Sequence, residues 1–237
     1  MTPKVTAKKS LGQNFLVNQG VLARIIEAGE VSPGDTVLEI GPGTGALTRA
    51  LAATGATVIA LEKDARLIGP LTEEFKDMPN VRIIEGDALM LDTGELGLQP
   101  GLWKLVANIP YYLTSHLIRL ALERWRPANA VLMVQREVAG RITAKPPEMN
   151  LLALSVQLYA QPSRVMNVSR GSFRPVPDVD SAVIRFDVFP DADRDLNERV
   201  MKVAKIAFAR KRKQLKMGPR PSARPQELSV EDWKKLA

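Results

Sequence analysis

Four short stretches carry side chains whose types and spacing could do chemistry. EIGPGTGALT (39–48) places glycines at 41, 43 and 45, and ATVIALE (56–62) ends in Glu62. GDAL (86–89) carries Asp87, and WKLVANIPYYLT (103–114) passes from an apolar run to Asn108, Pro110 and Tyr111. Alternating glycines let backbone approach a ligand, and an acid about twenty residues on can accept from both hydroxyls of a ribose. A third strand-end carboxylate can accept from the exocyclic amine of an adenine. The Asn108 amide oxygen can accept from an incoming N–H, and the carbonyl beside Pro110 offers a second acceptor. Tyr111 presents a flat face on which a base can stack. Each stretch also has a plainer reading. These are a glycine-rich turn, a solvated strand-end acid, a helix N-cap at Asp87 and an Asx-Pro turn with tyrosines filling core.

Such residues work together only if the chain brings them to one edge. DTVLEI (35–40), ATVIALE (56–62), NVRIIEG (80–86) and WKLVAN (103–108) read as short strands buried on both faces. Helical stretches separate them: GALTRALAAT (45–54) and DARLIGPLTEEFKD (64–77), the second interrupted at Pro70. A helix over 18–30, capped by Asn18, precedes the first strand. Helix over 114–125, strand into helix over 129–137, helix over 149–160 and two late strands complete the pattern. Strand alternating with helix predicts an α/β, Rossmann-like parallel sheet. The text turns charged and helical after Pro190, so a catalytic domain is expected over 1–190, with a basic arm over about 1–17. A small helical C-terminal domain is expected over 191–237, with GPRPSARP as a linker or turn.

On that sheet, three consecutive strands end in glycines, an acid and an acid. The spacing is GxGxG, where the pyrophosphate-gripping fingerprint is GxGxxG, which suits a smaller ligand than a dinucleotide. An adenosine without a polyphosphate tail is described, and S-adenosylmethionine fits. Asn108 would then stand beside a reactive methyl group. An exocyclic adenine amine is a poor nucleophile, because its lone pair is delocalised into the ring. Two acceptors holding its hydrogens localise that pair, so alignment does most of the work. No tuned base is required.

Composition agrees. The 237 residues contain no cysteine and a single histidine, His116. That removes thiolate metal sites and a cysteine nucleophile, and leaves nothing for a multi-histidine metal centre; no metal is expected. The net charge of +7 and pI near 9.7 favour a polyanionic partner. Positive charge gathers at Lys4, Lys8 and Lys9 and in ARKRKQLK (209–216), as expected of a surface for phosphates. No apolar run approaches a membrane span and the N-terminus lacks a secretory h-region, so a cytoplasmic protein with no membrane partner is expected.

Together, LGQNFL (11–16), EIGPGTGALT, Glu62, GDAL, NIPYYLTS, VLMVQREVAGRITAKP (131–146) and SFRPVPDVDSAV (172–183) resemble the ribosomal RNA adenine dimethyltransferase family. The likeness covers most of residues 8–190. It implies a class I S-adenosylmethionine-dependent methyltransferase domain. The activity implied places two methyls on N6 of each of two adjacent adenines near the 3′ end of small-subunit rRNA, during assembly of the small ribosomal subunit. The resemblance further implies that Asn14 and Leu16 close over the methionine end of the cofactor. Gly41 and Gly43 would hug it, Glu62 would take the ribose, and Asp87 with Ala88 the adenine ring. Asn108 would touch cofactor and target amine, with Pro110 presetting the turn. Tyr111 would stack on the extruded base, with Phe173 as the opposing face. Lys8, Lys9, Arg210, Lys211, Arg212 and Lys213 would meet rRNA phosphates, and the protein would act as a monomer. NLLA after KPPEM and the short C-terminal part depart from the family's pattern. A large-subunit dimethyltransferase of the macrolide-resistance type shares the catalytic corner, and a non-catalytic rRNA-binding assembly factor could share the fold.

Overall fold

Short β-branched runs separated by amphipathic helices favour a sheet covered on both faces. A computed structural model, which describes residues 7–8, 12–210, 213–215 and 219–237, has that form. The chain begins with β1 (Phe15–Leu16) and α1 (Gln19–Gly29), where the Asn18 side chain caps the helix by accepting from Val21 N at 3.2 Å. Then follow β2 (Thr36–Ile40), α2 (Ala46–Ala52), β3 (Thr57–Glu62), α3 (Ala65–Phe75), β4 (Val81–Glu85) and β5 (Lys104–Asn108). α4 (Thr114–Arg119) continues into wider π-helical turns through Leu120–Trp125. Next come β6 (Asn129–Gln135), α5 (Arg136–Ile142), α6 (Leu151–Gln157), β7 (Ala160–Val168), β8 (Phe173–Arg174), β9 (Ser181–Val188), α7 (Arg194–Phe208) and α8 (Val230–Lys234).

The seven-stranded sheet has the order β4-β3-β2-β5-β6-β9-β7. The first five of these strands are parallel, and β9 runs antiparallel to both β6 and β7. Strand order therefore reverses between β2 and β5, which opens a crevice at their carboxyl ends. Register places Ile40 opposite Ala107, so Gly41 and Asn108 leave the sheet side by side. β1 and β8 form a separate two-stranded ribbon, with Leu16 opposite Phe173.

The sequence predicts a break at Pro70, yet α3 is continuous across it. Leu67, Leu71 and Phe75 lie four residues apart and are buried together, with Val81 and Ile83 packed against them. An interior proline costs about 3 kcal/mol. Burying three large apolar side chains returns roughly 1.5–3 kcal/mol each, which outweighs the lost hydrogen bond.

At the far end, Val200, Ala204, Leu228 and Trp233 join the same apolar cluster as Leu105, Ile184 and Phe186 of the sheet. Phe208 stacks on Trp233 at 5.6 Å. Asn197 Nδ2 donates to Leu158 O at 3.0 Å, and Met149 N donates to Gln226 O at 3.0 Å. No helix among the described residues is long and apolar enough to cross a membrane.

Candidate active site

The crevice at the β2/β5 reversal is a cleft of about 1020 Å3, its open mouth included. Its walls include Asn14, Leu16, Gly41, Gly43, Glu62, Asp87, Ala88, Asn108, Pro110 and Tyr111, all expected from sequence. Thus one cavity collects the ends of β2, β3, β4 and β5.

The glycine loop divides its labour. Gly43 has φ of +60°, and a Cβ there would lie 2.8 Å from the Phe15 ring. A Cβ on Gly41, at φ +71°, would meet only Asn108 O, at 4.0 Å. Gly43 is therefore required by packing as well as conformation, while Gly41 keeps open space facing the cleft. Glu62 is held from both sides, Oε2 accepting from Gly43 N at 3.1 Å and Oε1 from Asp64 N at 2.8 Å. Burial pushes its carboxyl up, against these backbone donors. Asp87 takes the capping role that its sequence position offers, and it lines the cleft. Its Oδ1 caps a short turn by accepting from Leu89 N at 3.0 Å, while Oδ2 accepts from Lys63 Nζ at 2.7 Å, and that ammonium holds its carboxyl low.

The sequence reading missed Glu39. It is 1% exposed, lines the cleft, and leaves Oε2 without a hydrogen-bond partner in the described chain. Burial pushes its carboxyl up to about 8, with Thr48 pulling the other way and the Glu62 charge adding to the rise. The available signal was an acid inside an apolar strand, two residues before the glycine loop.

At the end of β5, Asn108 Nδ2 donates to Asn14 O at 3.1 Å. That contact commits the amide nitrogen, and Oδ1 has no hydrogen-bond partner among the described residues of the cleft. Pro110 O accepts from Leu113 N at 2.9 Å and keeps a second lone pair. Tyr111 follows in a 3-10 turn, its ring half-buried and its hydroxyl 2.7 Å from Ser181 Oγ. Tyr112, 60% exposed, stands at the mouth.

Residues 12–16 strap across this cavity. Gly12 lies against the Tyr112 ring, Gln13 Nε2 donates to Asp64 Oδ2 at 2.9 Å, Phe15 covers Gly43, and Leu16 pairs with β8. Asp64 is kept well below the usual carboxylate range, chiefly by Arg66 and also by Gln13.

Phe173 is not brought to the cleft. The resemblance implied a free ring for an extruded base, but the side chain is 1% exposed and packed among Leu16, Val21, Met133 and Val183. Pairing of β8 with β1 turns it inward, where an aromatic ring gains more from burial than from solvent. Among the basic residues, Lys8, Arg210 and Lys213 are exposed, whereas Lys9, Lys211 and Arg212 lie outside the described residues. Among the described residues, no group of three or more His, Cys, Asp or Glu side chains could hold a metal ion.

Comparison with known proteins gives this cleft its context. The profile of the ribosomal RNA adenine dimethylase family matches residues 4–228. The chain belongs to this family. A ribosomal RNA small subunit methyltransferase A from Dehalococcoides mccartyi is 42% identical over 253 aligned positions, covering 97% of this chain and 87% of that protein. Since 253 positions exceed the 237 residues here, that relative carries segments this chain lacks. The protein of the same name from Moorella thermoacetica is 43% identical, covering 87% of this chain and 76% of its own. Among solved structures, a dimethyladenosine transferase from Plasmodium falciparum superposes with a TM-score of 0.82 at 28% identity, covering 94% and 95% of the two chains. The 23S rRNA methyltransferase ErmE gives 0.79 at 29%, covering 94% and 98%.

As a member of this family, the rRNA adenine dimethylase uses S-adenosylmethionine as methyl donor. The cleft fits that cofactor: Gly41 leaves room beside it, Glu62 offers ribose acceptors, and Glu39 carries an unpartnered buried oxygen suited to an ammonium.

Proposed function

We propose that this protein dimethylates N6 of adjacent adenines near the 3′ end of small-subunit rRNA, acting as a monomer in the cytoplasmic compartment where that subunit assembles. The observation that carries the reading is the free Asn108 Oδ1, presented beside the open space at Gly41 by a hydrogen bond through its own amide nitrogen. Glu62 would take the ribose hydroxyls, Asp87 and Ala88 the adenine ring, and Glu39 the ammonium of the amino-acid portion. When bound, the cofactor's sulfonium supplies an electrophilic methyl group. Asn108 Oδ1 and the backbone carbonyl beside Pro110 would hold the target amine's hydrogens, localising its lone pair for in-line attack. Tyr111 would support the extruded base, whose unstacking costs about a few kcal/mol and less in a loop. The proton displaced from nitrogen would pass to solvent through the open mouth of the cleft. Lys8, Arg210 and Lys213 would meet phosphates, making binding strongly salt-dependent.

The small-subunit target rests on relatives at 42–43% identity that carry that name. A large-subunit target is the second reading, supported by the fold likeness to ErmE at 29%. Incubating each purified subunit with labelled cofactor, then mapping dimethylated adenines by mass spectrometry, separates the two. Label in small-subunit rRNA alone is expected; label only in the large subunit overturns the target.

A further inference from the structure

The segment SFRPVPDVDSAV carries near its end a serine whose use the fold explains. Because β9 is antiparallel, its first residue, Ser181, arrives at the edge where the parallel strands end. Register sets Ser181 opposite Gln135 of β6, and Met133 of the same strand opposite Asn108. Ser181 is 0% exposed, and a hydroxyl so buried is costly unless bonded. Its bond reaches over the end of β6 to the Tyr111 hydroxyl, at 2.7 Å.

We infer that Ser181 is a positioning residue for methyl transfer: its hydroxyl, fixed at the start of β9, tethers the Tyr111 phenol and fixes the direction of the ring on which the target base rests. The hydroxyl lies on the ring's χ2 axis, so a tether there resists swinging of the whole ring about χ1 and leaves rotation about χ2 to the packing around the ring. The anchor itself is braced. Asp180 O accepts from Arg136 N at 3.0 Å, its Oδ1 accepts from Arg170 N at 3.1 Å, and its carboxylate pairs with Arg136 at 3.4 Å. Tyr112, next in sequence and largely solvent-exposed, has no such hydrogen bond among the described residues. Of two consecutive tyrosines, the structure immobilises the one that lies deeper.

This inference rests on the proposed role of Tyr111, and the test separates the two. Single-turnover transfer to purified small subunits is measured for Ser181→Ala, Tyr111→Phe, the double variant and Tyr111→Ala, alongside cofactor affinity and melting temperature. Ser181→Ala and Tyr111→Phe are each expected to slow transfer about five- to tenfold at saturating subunit, with cofactor affinity unchanged. The double variant is expected to be no slower than either single one, because both remove the same bond. A wild-type rate in Ser181→Ala, or losses that multiply in the double variant, overturns the tether. Should Ser181→Ala fail to fold, a wild-type rate in Tyr111→Phe overturns it equally. A wild-type rate in Tyr111→Ala would instead remove the stacking role itself.

Discussion

The two sides of the cleft are built on different principles. The cofactor side, at the ends of β2, β3 and β4, is local: Glu62 is held by Gly43 N and Asp64 N, and Asp87 by Leu89 N and Lys63. The base side, at the end of β5, is assembled from afar: Asn108 is turned by Asn14, and Tyr111 is held by Ser181. A site of the first kind is specified wherever its strands form. One of the second kind exists only when the arm and the antiparallel strand are both docked. Cofactor binding and base handling are therefore separable, and substitutions on the two sides should leave different signatures.

The largest effect on the cofactor side is expected from Glu62→Gln. The amide keeps the shape but turns a donor towards a backbone N–H and loses the charge. At about 1.5–3 kcal/mol for hydrogen bonds to a charged group, cofactor affinity should fall about 10- to 100-fold by calorimetry, with subunit binding unaffected. Unchanged affinity would erase the distinction between the two sides.

Glu39→Gln should register in the pH dependence of stability, beside a loss of cofactor affinity from the proposed ammonium contact. A carboxyl raised from 4.5 to about 8 on folding stabilises the native state below pH 4.5 and loses that contribution as pH rises to about 8. Wild-type denaturation midpoints should therefore decline across that window relative to the variant, by an amount on the order of a few kcal/mol. Parallel pH profiles would show that Glu39 does not titrate there.

Phe173→Leu should have the smallest functional effect. It should cost about 1–2 kcal/mol of stability while leaving the transfer rate within about twofold. A large rate loss in a stable variant would return the ring to the base side.

Much of the cofactor side was legible in sequence because its signals are short-range. Gly41, Gly43, Glu62 and Asp87 each follow a β-branched run within a few residues, and parallel topology does the rest. Glu39 escaped because an acid inside a strand resembles patterning noise until burial is known. The base side was legible only in part. Asn108 and Tyr111 stand out in NIPYY, but nothing nearby announces that Asn14 supplies the carbonyl or Ser181 the hydroxyl, some 94 and 70 residues away. Phe173 shows the same limit: its motif suggested a role facing the base, and in this structure pairing of β8 with β1 buries the ring. Pro70 errs the other way, a local rule outweighed by three buried side chains.

In the proposed mechanism the amide oxygen of Asn108 turns a cofactor cleft into a methylating one, and Asn108→Ala removes it together with the Nδ2 hydrogen bond to Asn14 O. Single-turnover transfer, cofactor affinity and subunit affinity should be measured together on that variant. Transfer should fall by about 10²–10³ or more, while subunit binding stays near wild type and cofactor affinity changes far less than the rate. Transfer at the wild-type rate in a folded Asn108→Ala protein would contradict the account at its centre.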